Sequence, residues 1–154
     1  MNEIIPDWSV SDTAYIAGII DGEGCIGIYY GKDKGYFVQL TIVNTNKELL
    51  DWLGQRLHAN SVKSLKDKRP RNKQSFSLTV DRMRAFEVLT RVRGLLIVKR
   101  KQVDLALEFK EWQNARKTDK SGCGHRAYSE EELQICRNFA NQSKILNRKG
   151  SRKQ

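Results

Sequence analysis

The stretch IAGIIDGEG at residues 16–24 decides the fold. Its Gly18 lies inside an apolar segment of helical periodicity, where glycine costs about 1 kcal/mol relative to alanine. Ala17 and Gly18 give such a helix a flat surface that another backbone can approach closely. Asp21 and Glu23 follow at the C-terminal end, where the helix macrodipole disfavours negative charge. The stretch therefore predicts a divalent cation at the carboxylates and a second copy of the helix on the flat surface.

Length and charge limit what the rest of the chain does. The 154 residues have the length of one domain, and the 39% hydrophobic content is typical of a globular fold. The net charge of +10 indicates a polyanionic partner, and nucleic acid is the most common one inside cells. Charge alone leaves DNA, RNA and a merely solvated basic surface open. No apolar run approaches the ~20 residues of a membrane span, so we expect no membrane partner.

The cysteines indicate the compartment. There are three, odd in number and irregularly spaced, as is typical of reduced thiols in an intracellular protein: Cys25, Cys123 and Cys136. The sequence Cys123-Gly124-His125 lacks the second cysteine of a CxxC pair, which disfavours a zinc site there. No targeting segment is evident, so we expect an organelle (plastid or mitochondrion) or the bacterial cytoplasm.

Periodicity and capping signals predict the order of the elements. Ser11 is the predicted N-cap of a first helix over about 12–21, which ends at Gly22 or Gly24. Ser129 is the predicted N-cap of a last helix that reaches about Leu146. Residues 114–126 have the composition of a loop, and the basic tail 147–154 has no apolar periodicity. The remaining elements are strands at 25–30, 36–43, 61–68 and 74–80 and helices at about 47–57, 81–91 and within 95–113.

This order predicts an α+β fold. Four amphipathic strands with helices on one face form a two-layer sandwich. The opposite face of the sheet carries polar and basic side chains, and a twisted antiparallel ribbon of that composition can enter the major groove of DNA.

IAGIIDGEG resembles the LAGLIDADG motif of homing endonucleases, and the αββαββα order is similar to the core of that family. The resemblance covers about residues 12–113, with a C-terminal helix and basic tail at 127–154, all within one domain over 1–154. Because the chain has one copy of the motif, it resembles the single-motif branch, whose members work as homodimers. The resemblance implies a saddle-like antiparallel sheet and a Mg²⁺-dependent endonuclease, with Mn²⁺ able to substitute. Its substrate would be a long, roughly palindromic double-stranded DNA site, and its gene would lie in a mobile intron.

The motif implies roles for its residues. Glu23, at the eighth position, corresponds to the metal-binding catalytic acid, although aspartate is commoner there, and the Gly22 carbonyl also faces the cation. Asp21, at the sixth position, resembles a structural acid more than a ligand, and both roles stay open. Paired motif helices would place two Glu23 carboxylates side by side. The implied dimer interface is formed by Ala14, Ala17, Gly18 and Asp21.

Two further catalytic residues follow from the resemblance. Lys99 matches a family lysine that reaches the active site and stabilises developing charge, and the alternative is a phosphate anchor together with Arg100 and Lys101. Asn44 matches a family glutamine that orders active-site water. Asn46 and Lys47 are alternative placements for that role.

The predicted DNA contacts are outward positions of the two hairpins and the basic residues after Lys99. Gln39 can pair with adenine, and the lysines can bind guanine or phosphate. Tyr29 and Phe37 either contact thymine methyl groups or cover the sheet, and each serine or threonine is alternatively a solvent-facing strand residue. The set is Gly27, Tyr29, Lys32, Phe37, Gln39, Thr41, Lys63, Lys66, Ser75, Ser77, Thr79, Arg100 and Lys101.

Two alternatives use the same scaffold without DNA cleavage. One is an intron maturase, an RNA-binding splicing cofactor, which the basic stretches at 61–73 and 147–154 fit equally well. The other is a DNA-binding protein without nuclease activity. The presence of Glu23 and Lys99 favours the nuclease over the second alternative.

Overall fold

The computed structural model describes residues 7–32, 35–59, 62–65, 73–116 and 128–148. The order of elements over these residues is αββαββα followed by two further helices, which confirms the predicted α+β fold. The helices are α1 (Val10–Glu23), α2 (Lys47–Arg56), α3 (Arg82–Val92), α4 (Arg100–Arg116) and α5 (Glu130–Leu146). The strands are β1 (Gly24–Gly31), β2 (Gly35–Asn44), β3 (Lys63–Leu65) and β4 (Ser75–Asp81).

The four strands form one antiparallel sheet in the order β1-β2-β4-β3. Strands β1 and β2 form a hairpin in which Gly24 lies opposite Ile42 and Gly31 opposite Gly35. Gly35 has a φ of 65°, a left-handed conformation that glycine adopts without a steric cost. The hairpin register brings the C-terminal end of β2 next to the end of α1.

One face of the sheet is covered by the helices and forms the core. Successive side chains of a strand point to opposite faces, so the alternating apolar residues of three strands all reach this layer. Each fully buried leucine or isoleucine contributes about 1.5–3 kcal/mol. The buried strand residues are Ile26, Ile28, Val38, Leu40, Ile42, Leu78 and Val80, and they meet Ile16, Ile20, Leu50, Leu53, Leu89, Val103 and Phe109 of the helices.

Helix α1 begins earlier than predicted and ends at the later of its two predicted ends. The prediction of Ser11 as N-cap is wrong, because the Ser9 hydroxyl accepts the Asp12 N–H at 3.0 Å and Ser11 already lies in the helix. At the other end the helix includes Glu23 and stops at Gly24. A Cβ atom at Gly24 would lie 2.6 Å from the Ile20 carbonyl oxygen, so only glycine fits where the chain leaves the helix for β1.

A connection without α-helix joins α3 to α4, and α4 runs to Arg116, three residues past the limit of 113 predicted for it. Arg93–Leu95 is a short 3₁₀ helix, residues 96–99 are not helical, and α4 begins only at Arg100. Leu96 is buried, whereas the next two residues, Ile97 and Val98, are exposed. This segment of exposed apolar residues lies next to α1, as described below.

Helix α5 closes the free edge of β1. The predicted capping box is confirmed, with the Ser129 hydroxyl accepting the Glu132 N–H and Glu132 accepting the Ser129 N–H. Near the other end of the helix, the Ser143 hydroxyl accepts the Ile28 N–H at 3.2 Å. Asn147 donates to the Ile26 carbonyl at 2.7 Å. The C-terminal helix thus packs on the same sheet as the motif helix, and polar groups of the β1 edge are satisfied.

The two cysteines within the described residues are free thiols. Cys25 is a free, exposed thiol and Cys136 a free, buried one, while Cys123 lies outside the described residues. Within the described part of the chain, no helix is long and apolar enough to cross a membrane.

Candidate active site

The C-terminal end of α1 presents oxygen atoms to solvent. Glu23 is the last residue of the helix and is exposed. The last four carbonyls of a helix have no donor within it, and the Gly22 carbonyl is one of them. Carboxylate and carbonyl oxygens are the ligands that Mg²⁺ and Ca²⁺ prefer. The end of α1 therefore offers donors of the right chemistry for a hard divalent cation.

Asp21 has a different environment from Glu23. Its carboxylate accepts three consecutive backbone N–H groups: Oδ2 accepts from Ile97 at 2.7 Å, and Oδ1 accepts from Val98 at 3.2 Å and from Lys99 at 3.0 Å. Desolvation raises the pKa of this carboxyl, but the three hydrogen bonds and the Lys99 charge outweigh it and hold the pKa below its ordinary value. These hydrogen bonds fit the structural role that the sequence favoured for Asp21. Its predicted place among the metal ligands and in the dimer interface stays a prediction.

Lys99 immediately precedes helix α4 and lies beside the motif helix. Its carbonyl accepts the Val103 N–H at 3.0 Å, and its own N–H donates to Asp21. The side chain is half-buried, while those of Arg100 and Lys101 in the first helical turn are exposed. The structure therefore brings the backbone of the predicted lysine to the end of α1. Asp21 and Lys99 are 78 residues apart in the chain and are joined there by a hydrogen bond.

Asn44 lies at the same end of the sheet. It is two residues beyond Ile42, which faces Gly24 at the start of β1. Its Oδ1 atom accepts the Asn46 N–H at 2.8 Å, which leaves the amide NH₂ group for other partners. Of the alternative placements, Asn46 caps α2 through the Leu49 N–H, and Lys47 pairs with Asp51 at 2.7 Å. The position of Asn44 fits the predicted role, which stays a prediction.

The outer face of the sheet is polar over three strands. Thr41 lies opposite Thr79, and Ser77 lies opposite Lys63, so polar side chains adjoin one another across neighbouring strands. Lys32 is exposed in the turn of the first hairpin, and Lys66 lies outside the described residues. The predicted contacts that lie on this face and stay at least partly exposed are Tyr29, Phe37, Gln39, Thr41, Lys63, Ser75, Ser77 and Thr79.

One predicted DNA contact, Gly27, is wrong. Gly27 is buried, because the Tyr29 ring folds back over it, and a Cβ atom there would lie 2.6 Å from that ring. Tyr29 also approaches Cys25, with 4.0 Å between the hydroxyl and the thiol. Burial raises the pKa of the Tyr29 phenol. Tyr29 covers Gly27 but stays 41% exposed, so both of its predicted roles stay predictions.

The sequence prediction missed the residues where β4 ends. Asp81 continues the outward alternation of Ser75, Ser77 and Thr79, a period-two signal that was present in the sequence. The guanidinium of Arg82 lies 6.0 Å from the centroid of the Phe37 ring, and Arg82 has a φ of 56°. Asp81 and Arg82 line an open groove of about 370 Å³, together with His58 and Thr79.

Helix α1 presents an open face formed by Val10, Ala14, Gly18 and Gly22. No atom lies within 4 Å of a Cβ built at Gly18 or Gly22. The Cβ of a larger side chain would therefore meet no steric clash within this protomer at either position. The prediction of Ala17 in the interface is wrong for its side chain, which is 2% exposed and packs in the core. Ala17 is one residue, or about 100°, around the helix from Gly18.

Comparison with known proteins supports one fold. No protein-family model matches the sequence, and no curated protein matches it. The structure is similar to that of the homing endonuclease I-CvuI, solved in complex with a DNA target in the presence of magnesium. The TM-score is 0.64 at 22% identity, over 91% of this chain and 84% of that one. The chain has the LAGLIDADG homing endonuclease fold.

Two further structures relate this homing endonuclease fold to chain length. The archaeal intron-encoded I-Vdi141I, complexed with DNA, matches with a TM-score of 0.53 at 19% identity, over 86% of this chain and 96% of its own. The LAGLIDADG homing endonuclease I-LtrWI, bound to target DNA, matches with a TM-score of 0.56 at 22% identity, over 89% of this chain but 46% of its own. The chain thus spans nearly all of one relative and about half of the other, as expected for a chain with a single motif.

Proposed function

We propose that this protein is a site-specific homing endonuclease that cuts both strands of a long, roughly palindromic DNA site, in a Mg²⁺-dependent reaction. Its structural neighbours are homing endonucleases, several of them complexed with DNA. The single observation that carries the proposal is the end of α1. There, an exposed Glu23 lies two residues from Asp21, whose carboxylate is bonded to the backbone of Lys99. A gene inside a mobile intron and an organellar or bacterial host belong to the same proposal.

The outer face of the sheet is the proposed DNA-binding surface. Its polar side chains lie on a twisted antiparallel ribbon, a shape that fits the major groove. We propose that Gln39, which is partly exposed, reads a base edge and that Lys63, which is exposed, binds phosphate or guanine. The net charge of +10 adds the nonspecific attraction to the DNA backbone.

A second protomer completes the proposed site. Among the described residues, no group of three or more histidine, cysteine or acidic side chains could hold a metal ion. A single chain therefore brings one well-placed carboxylate, Glu23, and two chains packed through the open face of α1 would bring two. A two-fold dimer presents the same sheet to each half of its target, which explains the expected palindrome.

The roles of the chain's own residues follow from this arrangement. Glu23 and the Gly22 carbonyl would hold the cation, which when bound supplies Lewis-acid stabilisation of the phosphate. Mn²⁺ has the same preference for oxygen ligands and should replace Mg²⁺. Lys99 stabilises the negative charge that develops on the phosphate oxygens. Asn44 orders the attacking water, and the sheet holds the DNA backbone at the end of α1.

The test is cleavage of a selected binding site. Binding selection from random DNA in EDTA identifies the target without cleavage, and Mg²⁺ is then added to the purified complex. We expect breaks in both strands within the bound sequence. Binding to that site with intact DNA after Mg²⁺ addition would contradict the nuclease proposal. RNA selected in preference to DNA would favour the maturase alternative, for which Glu23→Gln should leave splicing assistance intact.

A further inference from the structure

Among the described residues, Asp21 makes the longest-range side-chain hydrogen bonds of the motif helix. Its two carboxylate oxygens accept the N–H groups of Ile97, Val98 and Lys99, which follow it by 76, 77 and 78 residues. Hydrogen bonds from neutral donors to an ionised acceptor are shorter and stronger than those between neutral groups. Three of them on a single carboxylate fix the direction of the backbone that enters α4.

Within the described protomer, little apolar burial holds residues 97 and 98 in place. Leu96 is buried before them and Val103 is buried after them, with relative exposures of 3% and 0%. Between these core residues, Ile97 and Val98 are 87% and 69% exposed and bury little apolar surface in this protomer. Among the described residues, the Asp21 carboxylate is the side chain that bonds the backbone N–H groups of residues 97–99, while the Lys99 carbonyl bonds the Val103 N–H of α4.

The same contact relates Lys99 to Glu23. Asp21 and Glu23 lie two residues apart in the last turn of α1, so their backbones move together. The Lys99 carbonyl accepts the Val103 N–H in the first turn of α4. The position of the Lys99 backbone determines where its side chain starts. Both oxygens of the Asp21 carboxylate accept backbone N–H groups. The Glu23 side chain is instead exposed to solvent.

We propose that Asp21 is a positioning residue that sets Lys99 relative to Glu23 and acts on DNA cleavage through Lys99. This inference rests on the proposed function, because it assigns Asp21 a task in that reaction. It removes Asp21 from the metal ligands and from the dimer interface.

The test is a double-mutant cycle on DNA cleavage. Single-turnover cleavage is measured for the wild type, Asp21→Asn, Lys99→Met and the double variant, with DNA affinity measured in EDTA and oligomeric state by sedimentation. Asp104→Asn is the matched control, because it removes an aspartate that bonds Arg93 at 2.6 Å on the other side of the same connection. Since a hydrogen bond to a charged group is worth about a factor of ten or more, we expect Asp21→Asn to slow cleavage about tenfold. DNA affinity and oligomeric state should not change.

The decisive comparison is between the double variant and Lys99→Met. If Asp21 acts through Lys99, the double variant cuts no more slowly than Lys99→Met alone. Backbone hydrogen exchange supplies a readout besides activity: amides 97–99 should lose protection in Asp21→Asn and keep it in Asp104→Asn.

Several results would overturn the inference. Additive losses would mean that Asp21 acts independently of Lys99, for example as a metal ligand. Cleavage unchanged from the Asp104→Asn control would remove any role, and monomers in Asp21→Asn would make Asp21 an assembly residue. These results differ from failure of the proposed function, in which the wild type itself binds its selected DNA and leaves it intact.

Discussion

The two carboxylates at the end of the motif helix are the same chemical group two residues apart, and the structure gives them opposite environments. Asp21 accepts three backbone N–H groups from the segment that enters α4. Glu23 is exposed and has no hydrogen-bond or ion-pair partner among the residues that the structure describes. A carboxylate at a helix C-terminus is disfavoured by the macrodipole, so each needs a compensating partner. For Asp21 that partner is within the chain, and for Glu23 we propose a cation.

The largest expected effect is the loss of DNA cleavage in Glu23→Gln, compared with the smaller loss in Asp21→Asn. Glu23→Gln removes a charge that no other described acid at this site replaces, and we expect cleavage to fall on the order of a thousandfold or more. Asp21→Asn should lose far less. Single-turnover assays on the selected DNA measure both, with DNA affinity in EDTA as the control for folding. Equal losses in the two variants would contradict the division of roles.

Assembly is the next effect in size. Gly18→Leu adds a bulky side chain to the open face of α1, where a Cβ meets no atom of this protomer within 4 Å. The variant should therefore fold, sediment as a monomer and cut no DNA. Gly18→Ala is the graded control, because it adds one methyl group and raises helix propensity by about 1 kcal/mol. A tight, active dimer of Gly18→Leu would show that the second Glu23 does not arrive through this face.

The smallest expected effect is on stability and has opposite signs at the two positions. Asp21→Asn weakens three partly solvated hydrogen bonds and should lower the free energy of unfolding by about 1 kcal/mol. Glu23→Gln removes an unpartnered negative charge at a helix C-terminus and should leave the stability unchanged or raise it slightly. Urea unfolding in EDTA measures both. A destabilised Glu23→Gln variant would indicate a partner for Glu23 within the protein.

Local signals were sufficient to predict most of the fold. Alternation identified the strands and their buried faces, and the Ser129 capping box located the start of the last helix. The N-cap of α1 was misplaced because Ser9 and Ser11 are both capable caps, and only the packed helix decides between them. The helix within 95–113 could be located only loosely, because no strong helix breaker between Leu95 and Arg100 marks where it begins.

The part of the candidate site that could be predicted is the part that lies in the IAGIIDGEG motif. The sequence placed Glu23 at a helix end, but the bonds from Asp21 to residues 97–99 join parts of the chain that no local pattern connects. Alternation put Gly27 on the outer face correctly, yet it could not show that the Tyr29 ring covers Gly27. Ala17 and Gly18 are neighbours in sequence, and the rotation of α1 decided that only Gly18 faces outward.

Cation binding is the most direct test of the central claim, which is that Glu23 and not Asp21 holds the metal. Mn²⁺ binding to the protein–DNA complex can be measured by electron paramagnetic resonance for the wild type, Glu23→Gln and Asp21→Asn. We predict bound Mn²⁺ in the wild type and in Asp21→Asn, and its loss in Glu23→Gln. Loss of Mn²⁺ in Asp21→Asn, with retention in Glu23→Gln, would contradict the account.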